Sequence, residues 1–178
     1  MTAGTAPIIE TERLRLRPQS LQDFAFFEAM WADSLVTKFV GGARAREEVW
    51  TKFLRNAGFW ALLGYGFWAV EEKGGELLGE VGLGEFKRNV VPLVEGNPEA
   101  GWVFDVNAQG KGFATEAVSA VLAWADDNLI VPQTTCIIDQ GHKDSIRVAE
   151  KCGFVRKSDG QYHGEEVVIM ARTRRTNV

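Results

Sequence analysis

The chain has 178 residues, of which 46% are hydrophobic and 25% are charged, values typical of a globular domain rather than of a disordered or collagen-like chain. Its net charge of −4 argues against a general nucleic-acid-binding protein, which would need an excess of Lys and Arg to neutralise phosphates. Residues 1–7 lack the basic and apolar regions of a signal peptide, and no apolar run is long enough to cross a bilayer. We therefore expect one cytoplasmic domain over residues 1–178, with a flexible tail at about 1–8 and neither a nucleic-acid nor a membrane partner.

The predicted elements follow from the spacing of apolar residues along the chain. Period-two alternation predicts strands and helical spacing predicts helices, with Gly58 expected to end the second helix. In chain order the strands are expected at residues 13–17, 67–70, 77–83, 99–104, 134–138 and 167–170, and the helices near Ser20 and at 46–57, 115–128 and 144–151. This order predicts a single three-layer α/β domain around a mixed sheet.

The two cysteines, Cys136 and Cys152, have neither metal-ligand spacing nor a C-x-x-C arrangement. Both lie among apolar residues, so we expect buried free thiols. Two separated histidines and no cysteine cluster make a poor metal site, and we expect no metal cofactor.

A glycine turn, Gln109 to Ala114, connects the strand at 99–104 to the next helix. Gly110 and Gly112 remove the Cβ atoms that would keep a ligand from the backbone, and the free N–H groups of the new helix favour an anion such as phosphate. An ordinary tight turn would explain an isolated pair of glycines equally well. A P-loop signature is absent, and a dinucleotide fingerprint would need glycine where Thr115 stands.

This turn also resembles the motif of the GNAT acyl-CoA-dependent N-acetyltransferases, in which Gln or Arg is followed by Gly and then by Gly or Ala at the positions of Gln109, Gly112 and Ala114. The resemblance continues in order along nearly the whole chain. It includes the opening strand at 11–17, the hairpin at 64–70 and 79–83, and the late helix at 145–154 with its E-K-x-G-F ending. The sequence is most similar to the branch named for ribosomal-protein N-acetyltransferases of the RimJ/RimL type.

The resemblance implies the GNAT fold, a three-layer α/β/α arrangement whose mostly antiparallel sheet is splayed at its fourth and fifth strands. It implies transfer of an acetyl group from acetyl-CoA, as cosubstrate, to a primary amine by direct attack in a ternary complex. The glycine turn would cradle the pyrophosphate, and the strand edge at 104–106 would pair with the pantetheine arm. By position the cofactor-binding residues would be Phe104, Asp105, Val106, Gln109, Gly110, Lys111, Gly112, Phe113, Ala114, Thr115, His142 and Ser145.

The chemistry requires a neutral amine, because an ammonium has no lone pair. Glu99 and Glu80 lie on adjacent predicted strands and are the preferred proton acceptors, with Asp105 as a third choice. Many family members have a tyrosine at the position of Ala149 to protonate the leaving thiolate, so the acid here is expected among Ser145, His142, Tyr162 or solvent. His142 stands where the family usually has asparagine. A backbone N–H, that of Val106, is expected at the oxyanion.

The acceptor is expected to be either a protein N-terminal α-amino group or a small-molecule amine. Aromatic residues early in the chain suggest a wall beside a substrate cleft, formed by Trp31, Trp60, Tyr65 and Trp68. A homodimer is suggested by the family alone. Two alternatives stay open: a non-catalytic module with this fold that binds acyl-CoA, and a nucleotide-binding oxidoreductase.

Overall fold

An eight-stranded mixed sheet runs through the computed structural model, which describes residues 5–175. The strands are β1 Ile9–Glu10, β2 Leu14–Arg17, β3 Phe67–Glu72, β4 Leu77–Gly84, β5 Glu99–Phe104, β6 Gln133–Asp139, β7 Val155–Tyr162 and β8 Glu165–Thr173. The helices are α1 Phe24–Ala32, α2 Ser34–Thr37, α3 Arg46–Leu63, α4 Phe113–Asn128 and α5 Lys143–Lys151. Short 3₁₀ turns cover Leu21–Asp23 and Val106–Ala108.

The strand order is β1-β2-β3-β4-β5-β6-β8-β7, and β5 with β6 is its parallel pair. These two strands are joined in register only at Glu99 and Thr135, after which they diverge. Because the two-residue β1 precedes the predicted first strand, β5 and β6 are the fourth and fifth strands of the family pattern. The expected three-layer fold with a splayed, mostly antiparallel sheet is confirmed.

Two apolar clusters lie on opposite faces of the sheet. The main core packs α4 against β2–β5 and includes Trp68, Val81 and Ala100, while Ala69 and Val103 contact the cluster of α1 and α3. Side chains alternate between faces along a strand. Glu80 and Glu99 therefore face the α1 and α3 side, and Trp102 faces the α4 and α5 side.

Differences from the predicted elements have local causes. Helix α3 continues through Gly58 and ends at Gly64, whose left-handed backbone (φ +75°) closes the last turn. Strand β7 was missed because its side chains are largely exposed and polar, so they carry little apolar periodicity. The two-residue β1 and the single turn of α2 are too short to give a periodic pattern.

The expectation of a flexible tail at about residues 1–8 is wrong for Ala6 and Pro7. Ala6 is buried in the main core, and the Trp68 indole donates a 2.7 Å hydrogen bond to the Pro7 carbonyl. Residues 6–8 are thus held against the domain, which corrects that part of the expectation, and residues 1–4 lie outside the described residues.

Cys136 and Cys152 are free and buried, as expected. Burial raises the pKa of both thiols. Between residues 5 and 175 the structure has no cluster of three or more His, Cys, Asp or Glu side chains suited to a metal. Over the same residues, none of the helices has the length and apolar character needed to cross a membrane.

Candidate active site

A cavity of about 1090 Å³ lies where β5 and β6 separate, on the face covered by α1 and α3. Its floor is formed by β4 and β5, and α3 contributes a polar stripe, Glu48, Thr51, Lys52 and Arg55, at helical spacing. The start of α5 and the end of β7 complete it with His142, Ser145 and Tyr162. The cavity therefore reaches from the outer helical layer to the gap in the sheet.

A pair of glycines lies between the two predicted carboxylates on the cavity floor. Gly82 and Gly101 are partners on β4 and β5, and the Phe67 ring lies over both. A Cβ at Gly82 would approach that ring to 2.7 Å. Glycine at both positions leaves room for the Phe67 ring, and the glycine pair lies between Glu80 and Glu99 on the cavity floor.

Glu80 is almost completely buried and is surrounded by donors. Its Oε1 accepts from Lys52 Nζ at 2.5 Å, and its Oε2 accepts from Gln19 Nε2 at 3.0 Å and from Asn56 Nδ2 at 3.1 Å. Lys52 also lies over the Trp31 ring at 4.5 Å. Burial lowers the pKa of Lys52, and the Glu80 charge opposes this shift. The hydrogen bonds of the Glu80 carboxylate thus fix the positions of Lys52, Gln19 and Asn56.

Among residues 5–175 the Glu99 carboxylate has one hydrogen-bond partner, Arg88, whose Nε donates to both carboxylate oxygens at 2.9 and 3.1 Å. Arg88 is held from its other side, since its Nη1 donates to the Tyr162 hydroxyl at 3.1 Å. Burial raises the pKa of Glu99, and the Arg88 charge offsets part of that effect. A carboxylate with a raised pKa that lines a cavity is suited to accepting a proton.

The edge of β5 that faces the gap carries unpaired backbone groups. Asp105 N donates to the Leu78 carbonyl at 2.8 Å and Thr135 N donates to the Pro98 carbonyl at 2.9 Å, which fixes the alternation along β5. The N–H groups of Trp102 and Phe104 therefore point toward β6. Across the gap, Trp102 Nε1 donates to Ser145 Oγ at 3.0 Å.

The expected edge at 104–106 needs correction. Strand β5 ends at Phe104, and the Asp105 N–H is already bonded to β4. The Asp105 carboxylate accepts from Asn107 N at 2.9 Å and so caps the 3₁₀ turn that contains Val106. Neither Asp105 nor Val106 is part of the strand edge, and the gap-facing donors are Trp102 and Phe104 instead.

The glycine turn has the geometry that the motif predicts. Gly110 and Gly112 both have left-handed backbones, with φ of +73° and +82°, and Gly112 is the N-cap of α4. The first N–H groups of a helix have no carbonyl in a preceding turn to donate to. Those of Phe113, Ala114 and Thr115 thus start α4 beside exposed Lys111, which forms a site suited to an anion.

Arg13 and Glu116 hold this turn against the first strands. Arg13 Nη1 donates to the Lys111 carbonyl at 2.9 Å, and Glu116 accepts from Thr11 Oγ1, Arg13 N and Arg13 Nε at 2.6 to 2.9 Å. Burial alone would raise the pKa of Glu116, but these hydrogen bonds outweigh it and lower the pKa. Gln109 adds a 3.2 Å bond from its side-chain amide to the Phe104 carbonyl.

His142 lies at the start of α5 and stacks on the Phe39 ring, with the centroids 4.6 Å apart. Burial lowers the pKa of His142, against the opposing charges of Asp144 and Asp139. Its imidazole is therefore held neutral near neutral pH. Ala149 is completely buried in the main core, one turn along the same helix from Ser145.

The four predicted aromatic residues do not come together. Trp31 lines the cavity, whereas Trp60 and Trp68 pack edge to face with Trp124 in the main core, with centroids 4.6 to 5.5 Å apart. Tyr65 is half-buried against the same core. The other Phe, Tyr and Trp residues that line the cavity with Trp31 are Phe39, Phe67, Phe86, Trp102 and Tyr162.

Sequence reasoning missed the Lys and Arg residues that line the cavity, which are Lys38, Arg44, Lys52, Arg55 and Arg88. Charged residues on a surface helix and in a polar loop are typical of solvated positions, so they gave no functional signal by themselves. The helical spacing of Glu48, Thr51, Lys52 and Arg55 was the available indication, because it puts a polar stripe beside the apolar stripe of Val49 and Phe53.

Known proteins match this chain in both sequence and structure. Residues 13–155 match the model of the acetyltransferase (GNAT) domain. YkkB from Bacillus subtilis strain 168, a protein described as uncharacterized, is 32% identical over 153 residues, which cover 81% of this chain and 83% of YkkB. An acetyltransferase from Agrobacterium tumefaciens strain C58 superposes with a TM-score of 0.82 at 25% identity, covering 94% of each chain.

More distant solved structures share the fold. RimL, a ribosomal L7/L12 alpha-N-protein acetyltransferase in complex with coenzyme A, gives a TM-score of 0.74 at 16% identity, covering 94% of this chain and 98% of RimL. Spermidine N-acetyltransferase from Vibrio cholerae, in complex with CoA and spermine, gives 0.72 at 17% identity, covering 92% and 97%. The RimL-type resemblance expected from the sequence is thus matched in fold.

Proposed function

Because the chain belongs to the GNAT acetyltransferase family, we propose that it transfers an acetyl group from acetyl-CoA directly to the primary amine of a peptide N-terminus or a small molecule. The observation that carries the proposal is the alignment of three features on β5: the glycine turn after its end, the unpaired edge along its side and the cavity on its face. Acceptor and cosubstrate then approach the gap from opposite layers.

The residues of the turn and the gap fit acetyl-CoA, which when bound supplies a thioester-activated acetyl group. The N–H groups from Gly110 to Ala114 would hold its phosphates, with Lys111 adding positive charge. The N–H groups of Trp102 and Phe104 are available to pair with the amides of an extended arm. Arg13 and Glu116 keep the turn in this position.

Glu99 is the proposed proton acceptor for the incoming ammonium. Within the described part of the chain, the Glu80 carboxylate accepts from three side chains, whereas the Glu99 carboxylate accepts from Arg88 alone and has a pKa raised by burial. The demand on this base depends on the acceptor, because an α-amino group has a pKa near 7.8 and a lysine amine one near 10.4. A strong base matters most for the second kind of amine.

Ser145 is the proposed donor to the leaving thiolate. Its Oγ accepts the Trp102 indole N–H, which leaves its own hydroxyl proton available to another acceptor in the gap. Ser145 is buried and lines the cavity. His142, held neutral and stacked on Phe39, has the weaker claim.

The first test measures the melting temperature with and without acetyl-CoA, beside NAD and ATP. At about one hundred times Kd, binding adds about 2.7 kcal/mol of stability, which is a shift of a few degrees for a domain of this size. Thiol release in the presence of amines then tests turnover. A shift with NAD alone would contradict the proposal in favour of the oxidoreductase, and acetyl-CoA binding without turnover of any amine would favour the non-catalytic module.

A matched pair of variants separates the glycine turn from general strain. Gly112→Ala and Gly75→Ala both put a side chain on a left-handed backbone, at φ of +82° and +90°, and Gly75 lies in the distant hairpin turn. Both should lose about 1 to 2 kcal/mol of stability. Only Gly112→Ala should also bind acetyl-CoA more weakly, and equal affinities for the two variants would count against the assigned phosphate site.

A further inference from the structure

Arg55 differs from the other cations near Glu80 and Glu99. Lys52 is paired with Glu80, and Arg88 with Glu99, but among residues 5–175 no carboxylate lies within 4.0 Å of the Arg55 guanidinium. The Arg55 guanidinium lies over the rings of Phe86 and Phe59, at 5.0 and 5.8 Å from their centroids. Arg55 thus brings a positive charge to the cavity that no acidic side chain neutralises by direct contact.

Arg55 is held close to a second guanidinium. Arg88 lies 4.5 Å from the centroid of the same Phe86 ring, and Glu99 with Tyr162 fixes its orientation. Burial lowers the pKa of Arg55, and the nearby Arg88 charge lowers it further. Three cations, Lys52, Arg55 and Arg88, lie here with two carboxylates, Glu80 and Glu99, so this end of the cavity has an excess of positive charge.

The excess charge is on the acceptor side of the sheet. Arg55 projects from α3, which packs with α1 on the face that carries Glu99, whereas the glycine turn leads into α4 on the opposite face. The phosphates of the cosubstrate are assigned to that turn, so Arg55 is left for a group of the acceptor. A guanidinium matches a carboxylate in shape and in charge.

We propose that the acceptor amine carries a carboxylate that pairs with Arg55 beside Arg88 while the amine faces Glu99, so that Arg55 selects acidic acceptors over polyamines. This inference rests on the proposed acetyltransfer. It differs from the chemistry of the spermidine enzyme that shares the fold, whose acceptor is a polycation.

The test compares acceptors that differ only in one charge. C-terminally amidated tetrapeptides with an N-terminal serine carry a single Asp at the second, third or fourth position, and each has an Asn twin with a nearly unchanged amine pKa. L-glutamate and L-glutamine form the corresponding free amino acid pair, and spermidine is the cationic probe. We expect kcat/KM to be about tenfold higher for at least one acidic member than for its neutral twin.

Variants of two arginines on α3 test whether Arg55 causes the preference for acidic acceptors. Arg55→Gln should abolish the difference between twins by raising KM for the acidic acceptor, with little change in kcat and none in acetyl-CoA affinity. Arg55→Glu should improve the use of spermidine. Arg46→Gln is the matched control, because Arg46 lies on the same helix, is largely exposed and pairs with Glu28 away from the cavity, so it should keep the preference.

The outcomes separate the two proposals. Failure to bind acetyl-CoA would count against the acetyltransferase assignment of the site. If acetyl-CoA binds, four results would overturn the proposed role of Arg55 and leave the acetyltransferase assignment intact. These are equal use of Asp and Asn twins, a preference for spermidine, acetylation of no acidic probe, and an unchanged preference in Arg55→Gln. Preference for a peptide pair or for the free amino acid pair would identify the carrier of the carboxylate.

Discussion

Two carboxylates on one face of the sheet have different surroundings, and this difference decides which of them is free to react. Glu80 is bonded to an ammonium and two amides, so a change in its charge would disturb Lys52, Asn56 and Gln19 together. Of the side chains that the structure describes, Arg88 alone donates to the Glu99 carboxylate, and burial raises the pKa of Glu99. Strand alternation places both carboxylates on the cavity side of the sheet. Their roles differ because Lys52 of α3 pairs with Glu80, whereas Arg88 of the loop after β4 pairs with Glu99.

Replacing Glu99 by Gln should remove the proton acceptor and lower kcat/KM by about 100-fold. The loss should be larger for an acceptor with a lysine-like amine than for an α-amine, because a smaller fraction of the former is neutral without help. Steady-state kinetics with one acceptor of each kind, at one pH, measures both losses. Equal losses for the two acceptors would contradict a role as base and indicate a role in holding Arg88.

His142 predicts a pH dependence of stability. Its folded pKa is lowered by burial, so between that value and about 6.5 the unfolded chain binds more protons, and stability falls as the pH falls through this window. His142→Asn, which restores the usual family residue, should flatten the dependence of the melting temperature between about pH 7 and pH 5. A curve that stays parallel to that of the wild type would show that other groups produce the dependence.

At the scale of elements, α3 depends on two glycines with opposite requirements. Gly58 lies inside the helix with open space at its Cβ position, so Gly58→Ala should stabilise the protein by about 0.5 to 1 kcal/mol. Gly64 ends the helix at φ +75°, and Gly64→Ala should destabilise it by about 1 kcal/mol or more. Denaturant unfolding measures both changes, and changes of the same sign would contradict this assignment of the helix end.

Elements with regular side-chain patterns could be predicted from the sequence, and those without could not. The strand at 99–104 was predicted because its apolar run lies between a proline-bearing loop and the glycine turn, although its edge was wrongly extended to Val106. Strand β7 was missed, since it lies at the edge of the sheet beside β8 and leaves most of its side chains exposed. The predicted end of α3 is wrong because Gly58, the first glycine after the apolar stripe, lies inside the helix, which ends at Gly64.

The same distinction holds for the site. The residues of the glycine turn are consecutive in the sequence, so the sequence alone predicts both the turn and its suitability for an anion. Tertiary packing determines the roles of Lys52, Arg55 and Arg88. They reach the cavity because α3 packs over β3 to β5 and because the loop after β4 places Arg88 beside Glu99. Trp60 and Trp68 were assigned to a cleft on aromatic density alone, which does not distinguish a cleft from a core.

At the scale of the whole molecule, ion pairs between carboxylates and arginines join the helices to strands on both faces of the sheet. Arg17 of β2 binds Asp23 before α1, and Arg13 next to β2 binds Glu116 of α4. Arg172 of β8 binds Asp126 of α4 through two hydrogen bonds of 2.9 and 2.6 Å. For all three carboxyls burial alone would raise the pKa, and hydrogen bonds led by those from Arg or Thr side chains lower it instead.

The Arg172–Asp126 pair should therefore contribute to stability in a pH-dependent way. Because the folded pKa of Asp126 is lowered, its contribution is fully present above about 3.9, the unfolded value, and is lost as the pH falls through the folded pKa. Asp126→Asn leaves buried Arg172 without its charge partner, and we expect a loss of about 3 kcal/mol at neutral pH.

Denaturant unfolding of wild type and Asp126→Asn from pH 7 to pH 2.5 measures this contribution. The two curves should converge at low pH, because protonation removes from the wild type the same charge that the variant lacks. Asp144→Asn is the control, since Asp144 is an exposed carboxylate paired with Arg147, and its change should stay within about 0.5 kcal/mol. A constant gap between wild type and Asp126→Asn across the pH range would mean that packing, not charge, joins β8 to α4.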